Sequence, residues 1–190
     1  MIRLLDLIFS IIGLVVGAPW LLAIYVAGLL DTGSPLFLQE RVGRNRKPFT
    51  LVKFRTMRPG TVSVPSHFAD ASAITSFGVF LRRTKLDELP QLWNVLKGEM
   101  SIVGPRPHML KHTDDFSKIV EHYMIRQFLK PGITGWAQIN SFRGEITNQE
   151  QIKMRVASDL WYLENWNIWL DLRILFLTIY HVFKGDKNAY

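Results

Sequence analysis

From Leu7 to Leu30 the chain carries no charged side chain, a run of 24 positions bounded by Asp6 and Asp31. At about 1.5 Å per residue, a continuous helix over this run reaches roughly 36 Å, enough to cross a hydrocarbon core of about 30 Å. A chain built this way is expected to meet a bilayer. A cleaved leader is the alternative, since Arg3 supplies a weakly basic start and Gly17-Ala18 a small-residue pair, yet Trp20 to Leu30 stays apolar beyond that point. Pro19 lies near the middle of the run, where it removes a backbone donor and crowds the carbonyl four residues earlier, so a kink or break is expected there. Gly13, Gly17 and Gly28 loosen the segment further. Two shapes stay open, a kinked helix that spans and a re-entrant hairpin that dips into one leaflet and returns. The basic cluster Arg41, Arg44, Arg46 and Lys47 assigns the following chain to the cytoplasmic side.

With 190 residues, 48% of them apolar, the chain can bury one substantial core, so a single catalytic unit on a membrane platform is the simplest organisation. It has no cysteine, which excludes disulfides, thiolate catalysis and cysteine-held zinc, and fits a reducing compartment. A net charge of +7 favours an anionic partner: nucleic acid, an acidic bilayer or a phosphorylated substrate. No finger spacing, aromatic RNA-binding signature or basic region leading into heptads supports nucleic acid.

Leu36 to Leu38 and Phe49 to Val52 read as short strands around the turn-prone stretch Gly43 to Pro48, with Lys53-Phe54-Arg55-Thr56-Met57 continuing the second. Pro59 to Ser76 has loop composition and is a candidate lid. A helical stripe starting at Thr113 runs through Phe116, Ile119, Val120, Tyr123 and Met124. From about Ala157 to Phe183 a long aromatic-rich segment carries Asp159, Glu164, Asp171 and Arg173, charges that make spanning costly and an interfacial helix the better expectation.

Leu86 to Gly98 reads as a helix with Asp87 and Glu88 at its start, Pro90 in its first turn and Gly98 as its terminator. Leu89, Leu92, Trp93 and Leu96 form its apolar face. Acidic residues favour a helix amino terminus for electrostatic reasons alone, so a structural explanation of the pair competes with a chemical one. The neighbourhood is basic, with Arg82, Arg83 and Lys85 before the pair and Gly104-Pro105-Arg106-Pro107 after the helix. A carboxylate can hold a divalent metal or attack an electrophile, and fixed cations can neutralise phosphate oxygens during displacement. The alternative for Arg106 is a solvated surface turn. His108 and His112 have zinc-helix spacing without a metalloprotease glutamate, and Lys130 alone reads as a solvated base.

Four blocks in one order, Lys53-Phe54-Arg55-Thr56-Met57, Asp87-Glu88-Leu89-Pro90-Gln91-Leu92, Gly104-Pro105-Arg106-Pro107 and Pro131 to Gln138, resemble the bacterial sugar transferase family, the monotopic phosphoglycosyl transferases. The resemblance covers nearly the whole chain. It implies an α/β, mainly helical, small monotopic membrane enzyme. Residues 1–34 form a re-entrant helix broken at Pro19, and residues 35–190 form the catalytic unit with interfacial amphipathic helices on the cytoplasmic face of a bacterial inner membrane. It further implies that Asp87 attacks the β-phosphate of a UDP-sugar, UMP leaves, and polyprenol (undecaprenyl) phosphate takes the sugar phosphate from the aspartate. Mg2+ is the implied cofactor, at Asp87. The resemblance has Glu88 position the metal or the nucleophile or serve as a base, Lys53 and Arg82 line the nucleotide and phosphate site, and Arg106 hold phosphate oxygens.

Arg143-Gly144-Glu145 resembles the hexose 1-phosphate branch of exopolysaccharide and O-antigen (lipopolysaccharide) synthesis, and the terminal Lys187 to Tyr190 points to glucose first and galactose second. Ala18 stands where many relatives have serine before the proline, which weakens the hairpin expectation. Longer relatives carry an additional amino-terminal bundle, so the chain is either a natural catalytic unit or a truncation. A homo-oligomer is compatible with the sequence. The competing functions are a glycosyltransferase that releases UDP and a non-catalytic scaffold of a polysaccharide assembly complex.

Overall fold

A computed structural model describes residues 2–61, 73–142 and 148–184. The apolar run lies inside a 31-residue helix, α1 (Ile2–Thr32), whose buried residues are Asp6, Ser10, Ile24 and Gly28. Its helical pattern is continuous through Pro19, so the proline does not divide it into two elements. The helix is tied down at both ends by polar residues. Arg3 donates to the carbonyls of Val95 and Leu96, the latter at 2.6 Å. Asp6 accepts from Ser101 Oγ at 2.8 Å and from the Ile102 amide at 2.9 Å. At the other end Thr75 Oγ1 donates to Asp31 at 2.6 Å. Between these anchors most of the helix surface is exposed hydrocarbon, including Leu4, Val15, Val16, Trp20, Leu22 and Leu30.

The two expected strands form an antiparallel hairpin of β1 (Leu36–Val42) and β2 (Pro48–Phe54), in register from Leu36 opposite Phe54 to Val42 opposite Pro48. Next come α2 (Ser76–Thr84), a 3-10 turn over Leu86–Glu88, and α3 (Gln91–Lys97). Two short strands, β3 (Ser101–Val103) and β4 (Gly132–Thr134), pair in parallel. Buried Asn94 locks α3 onto the hairpin: its amide donates to Thr50 O at 2.7 Å, and its oxygen accepts from the Val52 amide at 3.1 Å. Phe49, Leu51, Val95 and Met100 fill the space beneath this contact.

Two expected elements have different limits. The helix expected from Thr113 through Met124 begins earlier and ends earlier, as α4 (Leu110–Ile119). His122, in the left-handed region at φ 61°, separates it from a 3-10 segment over Tyr123–Phe128. The long aromatic segment is two helices, α6 (Gln149–Asn165) and α7 (Ile168–Lys184), preceded by the short α5 (Trp136–Ile139). Asn167 makes the break by capping the second helix, accepting from the Leu170 amide at 2.9 Å. Of the charges that argued against spanning, Asp159 and Asp171 point inward and are satisfied there. Asp159 meets Arg126, and Asp171 accepts from the Tyr162 hydroxyl and the Trp166 indole at 2.7 and 3.0 Å. The opposite side of α7 exposes Trp169, Leu172, Phe176, Ile179 and Phe183, three or four residues apart, which is one apolar stripe. Over the described residues the fold is therefore mainly helical with two small sheets.

Candidate active site

Asp87 and Glu88 lie on the 3-10 turn before α3 rather than in the helix itself, because Pro90 occupies the position just ahead of Gln91. Two backbone features set that turn. Lys85 adopts left-handed φ 60°, which reverses the chain between α2 and the carboxylates. Gly78 lets α2 press onto the segment that follows β2: a Cβ there would lie 2.0 Å from the Thr56 carbonyl oxygen. One turn along α2 from Gly78, Arg82 Nε donates to Thr56 Oγ1 at 2.9 Å, which fixes its guanidinium beside Asp87.

The third contribution is the Gly104 to Pro107 segment. Gly104 and Gly132 approach so closely that a Cβ on Gly132 would meet Gly104 N at 2.1 Å, which pins this segment against β4. Arg106 then reaches Glu88 Oε1 at 2.9 Å. Its own carbonyl accepts from Arg126 at 2.8 Å, and Arg126 forms a buried pair with Asp159 at 2.7 Å. The fourth contribution is the hairpin. Lys53 lies on β2 with Nζ 5.2 Å from the centre of the Phe37 ring opposite it.

All five residues expected from the sequence, Lys53, Arg82, Asp87, Glu88 and Arg106, meet in this one place. Asp87 is 7% exposed, and its Oδ1 is buried with no hydrogen-bond partner among the described residues. Burial, helped by the charge of Glu88, raises its pKa to about 6 against the opposing pull of Lys53, Arg106 and Arg82. Burial also raises Glu88, but the charge and hydrogen bond of Arg106 outweigh it and hold this carboxyl below its ordinary value. The two adjacent acids are thus differentiated: Glu88 is committed to Arg106, whereas Asp87 keeps an oxygen available. Burial brings Lys53 down to about 8, with the charges of Arg106 and Arg41 adding to the effect.

The residues fit Mg2+, which binds through one or two carboxylates and completes its shell with water and phosphate oxygens. Asp87, with its unpartnered oxygen, is the residue that would hold it. No group of three or more metal-ligating side chains occurs among the described residues, so an all-protein cage is not what this arrangement offers.

Other candidates fall elsewhere. His108 and His112 both pack on Phe116, with ring centres 5.5 Å apart, and His108 Nδ1 shares a 2.6 Å hydrogen bond with the Tyr123 hydroxyl. Lys130 lies with Arg3 beside Gly98, at the opposite end of α3 from Asp87. Arg143 to Glu145, Lys187 to Tyr190 and most of the candidate lid fall outside the described residues. Two residues near the site had gone unremarked. Asn94 carries no local pattern that marks it. Arg41, counted above only as a topological charge, lies against the Arg106 segment, donating to Pro107 O at 3.4 Å. Strand alternation was the available signal, because Arg41 shares a hairpin face with Lys53.

A buried carboxylate ringed by fixed cations can take up phosphate oxygens or a divalent metal, and the same fold carries one long, exposed apolar helix. The chain belongs to the bacterial sugar transferase family, whose sequence profile matches residues 1–185. It is 46% identical, over 97% of its length, to the UDP-glucose:undecaprenyl-phosphate glucose-1-phosphate transferase of Xanthomonas campestris pv. campestris, and 44% identical over 97% to the protein of the same name in Escherichia coli (strain K12). The chain spans 39% and 40% of the length of those two relatives. An uncharacterized sugar transferase of Bacillus subtilis (strain 168) is 41% identical over 97% of this chain, which covers 88% of that protein.

Proposed function

We propose that the protein transfers a hexose 1-phosphate, glucose first and galactose second, from a UDP-sugar to undecaprenyl phosphate and releases UMP. The observation that carries this reading is the unpartnered Oδ1 of Asp87 in a shell of Lys53, Arg82 and Arg106. With a pKa near 6, Asp87 is largely ionised at neutral pH and can attack the β-phosphorus. As the Asp87–phosphorus bond forms, the bond to the UMP oxygen breaks and its electron pair leaves on UMP. An oxygen of the lipid phosphate then attacks the same phosphorus, freeing the Asp87 carboxylate and giving a polyprenol diphosphosugar. Asp87 would hold Mg2+, which would supply charge neutralisation for the donor's phosphate. Glu88 acts by orienting Arg106, and the cations of the shell hold the phosphoryl oxygens as charge redistributes.

The same reading sets the protein in the bacterial inner membrane, with residues 35–190 as the catalytic unit on the cytoplasmic face and residues 1–34 as a re-entrant anchor. Supporting it, polar anchors at both ends of α1 engage the same body of protein: Arg3 and Asp6 hold α3 and β3, and Asp31 holds Thr75. A helix crossing the bilayer alone would carry one end away from that body. The apolar stripe of α7 supplies an interfacial face.

Incubation with UDP-glucose, undecaprenyl phosphate and Mg2+ is expected to produce UMP, and donor alone is expected to leave a sugar phosphate on Asp87, seen by mass spectrometry. Release of UDP would overturn the reaction type. Cysteines introduced before Leu7 and after Asp31 test the topology; labelling from opposite sides would establish a spanning helix.

A further inference from the structure

The transferred phosphate has its cations in Lys53, Arg82 and Arg106, but a nucleotide sugar brings a second phosphate that stays with the leaving group. We infer that Arg41 is the ligand of that nucleotide-side phosphate; the inference rests on the reaction proposed above and names a subsite within it.

Three features of Arg41 support the assignment. First, the hairpin register puts it on the Lys53 face: Phe37 lies opposite Lys53, Arg41 lies opposite Phe49, and residues 37, 39 and 41 share one side of β1. Four residues separate Phe37 from Arg41, about 13 Å along a strand, a gap that two long side chains can close onto one ligand between them. Second, Arg41 is anchored to the segment that presents Arg106. Its guanidinium donates to Pro107 O at 3.4 Å and to the side-chain oxygen of Gln39, and the adjacent Val42 amide donates to His108 O at 3.0 Å. Third, its Nε is buried with no partner among the described residues, and His108, 6% exposed, likewise has an unpartnered Nε2. Buried donors of this kind ordinarily have partners.

Position explains which phosphate Arg41 takes. Arg41, Lys53, Arg82 and Arg106, with Lys85 beside Glu88, outnumber the carboxylates Asp87 and Glu88, and this cationic surplus suits a diphosphate. The cations that act on Asp87 are Lys53, Arg106 and Arg82, whereas Arg41 acts on Arg106, Glu88 and Lys53. Arg41 is therefore one step farther from the nucleophile. The phosphorus that bonds to Asp87 occupies the inner step, and the phosphate that departs with the nucleoside occupies the outer one. When the phosphorus–oxygen bond breaks, its electron pair ends on the nucleotide phosphate, and a guanidinium at that position offsets the added charge.

The test compares UMP with glucose 1-phosphate as binding probes, by calorimetry on the detergent-solubilised chain with Mg2+, in wild type, Arg41→Gln and Arg41→Lys. Loss of a charge-assisted contact is expected to weaken UMP about 10- to 100-fold in Arg41→Gln, with Arg41→Lys intermediate, while glucose 1-phosphate changes less than about twofold. Unchanged UMP affinity in either variant, equal losses for both probes, or no UMP binding by the wild type would overturn the subsite. Thermal unfolding accompanies each titration. If Arg41→Gln fails to fold, Arg41→Lys alone decides, on whether UMP is weakened and glucose 1-phosphate is not. Wild-type protein that binds UMP in an Arg41-dependent way yet releases no UMP from any UDP-sugar would leave the subsite standing and sink the proposed reaction.

Discussion

Among the described residues, the pairs Arg106–Glu88 and Arg126–Asp159 have nearly the same length and different settings. Arg106 meets Glu88 at 2.9 Å with side chains 40% and 17% exposed, and Arg126 meets Asp159 at 2.7 Å with side chains 4% and 3% exposed. The first faces an unpartnered carboxylate oxygen and a further cation, Lys53. The second is enclosed, with the Arg126 guanidinium 5.5 Å from the centre of the Tyr123 ring. One contact joins them, the 2.8 Å hydrogen bond from Arg126 to the carbonyl of Arg106. The closed pair therefore fixes the backbone from which the open pair works. Burial is what separates the two roles: a fully enclosed pair cannot reach a ligand, and a half-exposed one contributes little to stability on its own.

The largest expected effect is at neither pair but at the carboxylate between the cations. Asp87→Asn is expected to lower UMP release by at least about 10^3-fold, since it removes the attacking group itself. It should leave thermal stability at or above wild type at pH 7. Because burial raises the Asp87 pKa in the folded chain, the native state binds more protons than the unfolded one up to about pH 6, and ionised Asp87 weighs against folding above that. A marked fall in melting temperature would mean that Asp87 is structural, and the contrast would collapse.

Next in size is the closed pair. Arg126→Met is expected to cost about 3–5 kcal/mol by stranding the Asp159 carboxylate in the core, measured by denaturant unfolding. Replacing both residues, Arg126→Met with Asp159→Leu, should recover most of that loss. Recovery of stability without recovery of activity would separate the contact to the Arg106 carbonyl from the pair's own contribution. Arg106→Ala is expected to reverse the pattern, with turnover down about 10^2- to 10^3-fold and a clearly smaller loss of stability than Arg126→Met. If it destabilised the chain as much as Arg126→Met, the two pairs would not differ in kind.

The smallest effect is in the pH profile, where kcat/KM reports the free enzyme. Activity should fall below about pH 6 as Asp87 takes up a proton, and above about pH 8 as Lys53 loses one. Lys53→Arg keeps its charge, so the alkaline arm should move upward while the acid arm stays. An alkaline arm that does not move would remove Lys53 from the phosphate shell.

Much of this was legible in the chain. The uncharged run, the hairpin around Gly43 to Pro48, the stop at Gly98 and the five site residues all rest on local pattern or ordered motifs, and in the structure they fall together. Other features were not, for physical reasons. The aromatic segment reads as one helix because apolar periodicity continues across Trp166 and Asn167, and only the capping contact of Asn167 shows the break. Asn94 is an ordinary polar residue in a helix until β2 packs beside it and uses both ends of its amide.

Local chemistry by itself determined that this protein has a long apolar helix, two short strands around a turn, and a pair of adjacent acids in a basic setting, since each follows from residues close together in the chain. Tertiary structure alone decided that the two acids differ. Glu88 is committed to an arginine 18 residues away, and Asp87 is buried with an oxygen left over. Tertiary structure also turned Arg41 from a topological charge into a neighbour of the site. Solvation and Coulomb interactions depend on which distant segments close around a group, and no spacing along the chain encodes that directly.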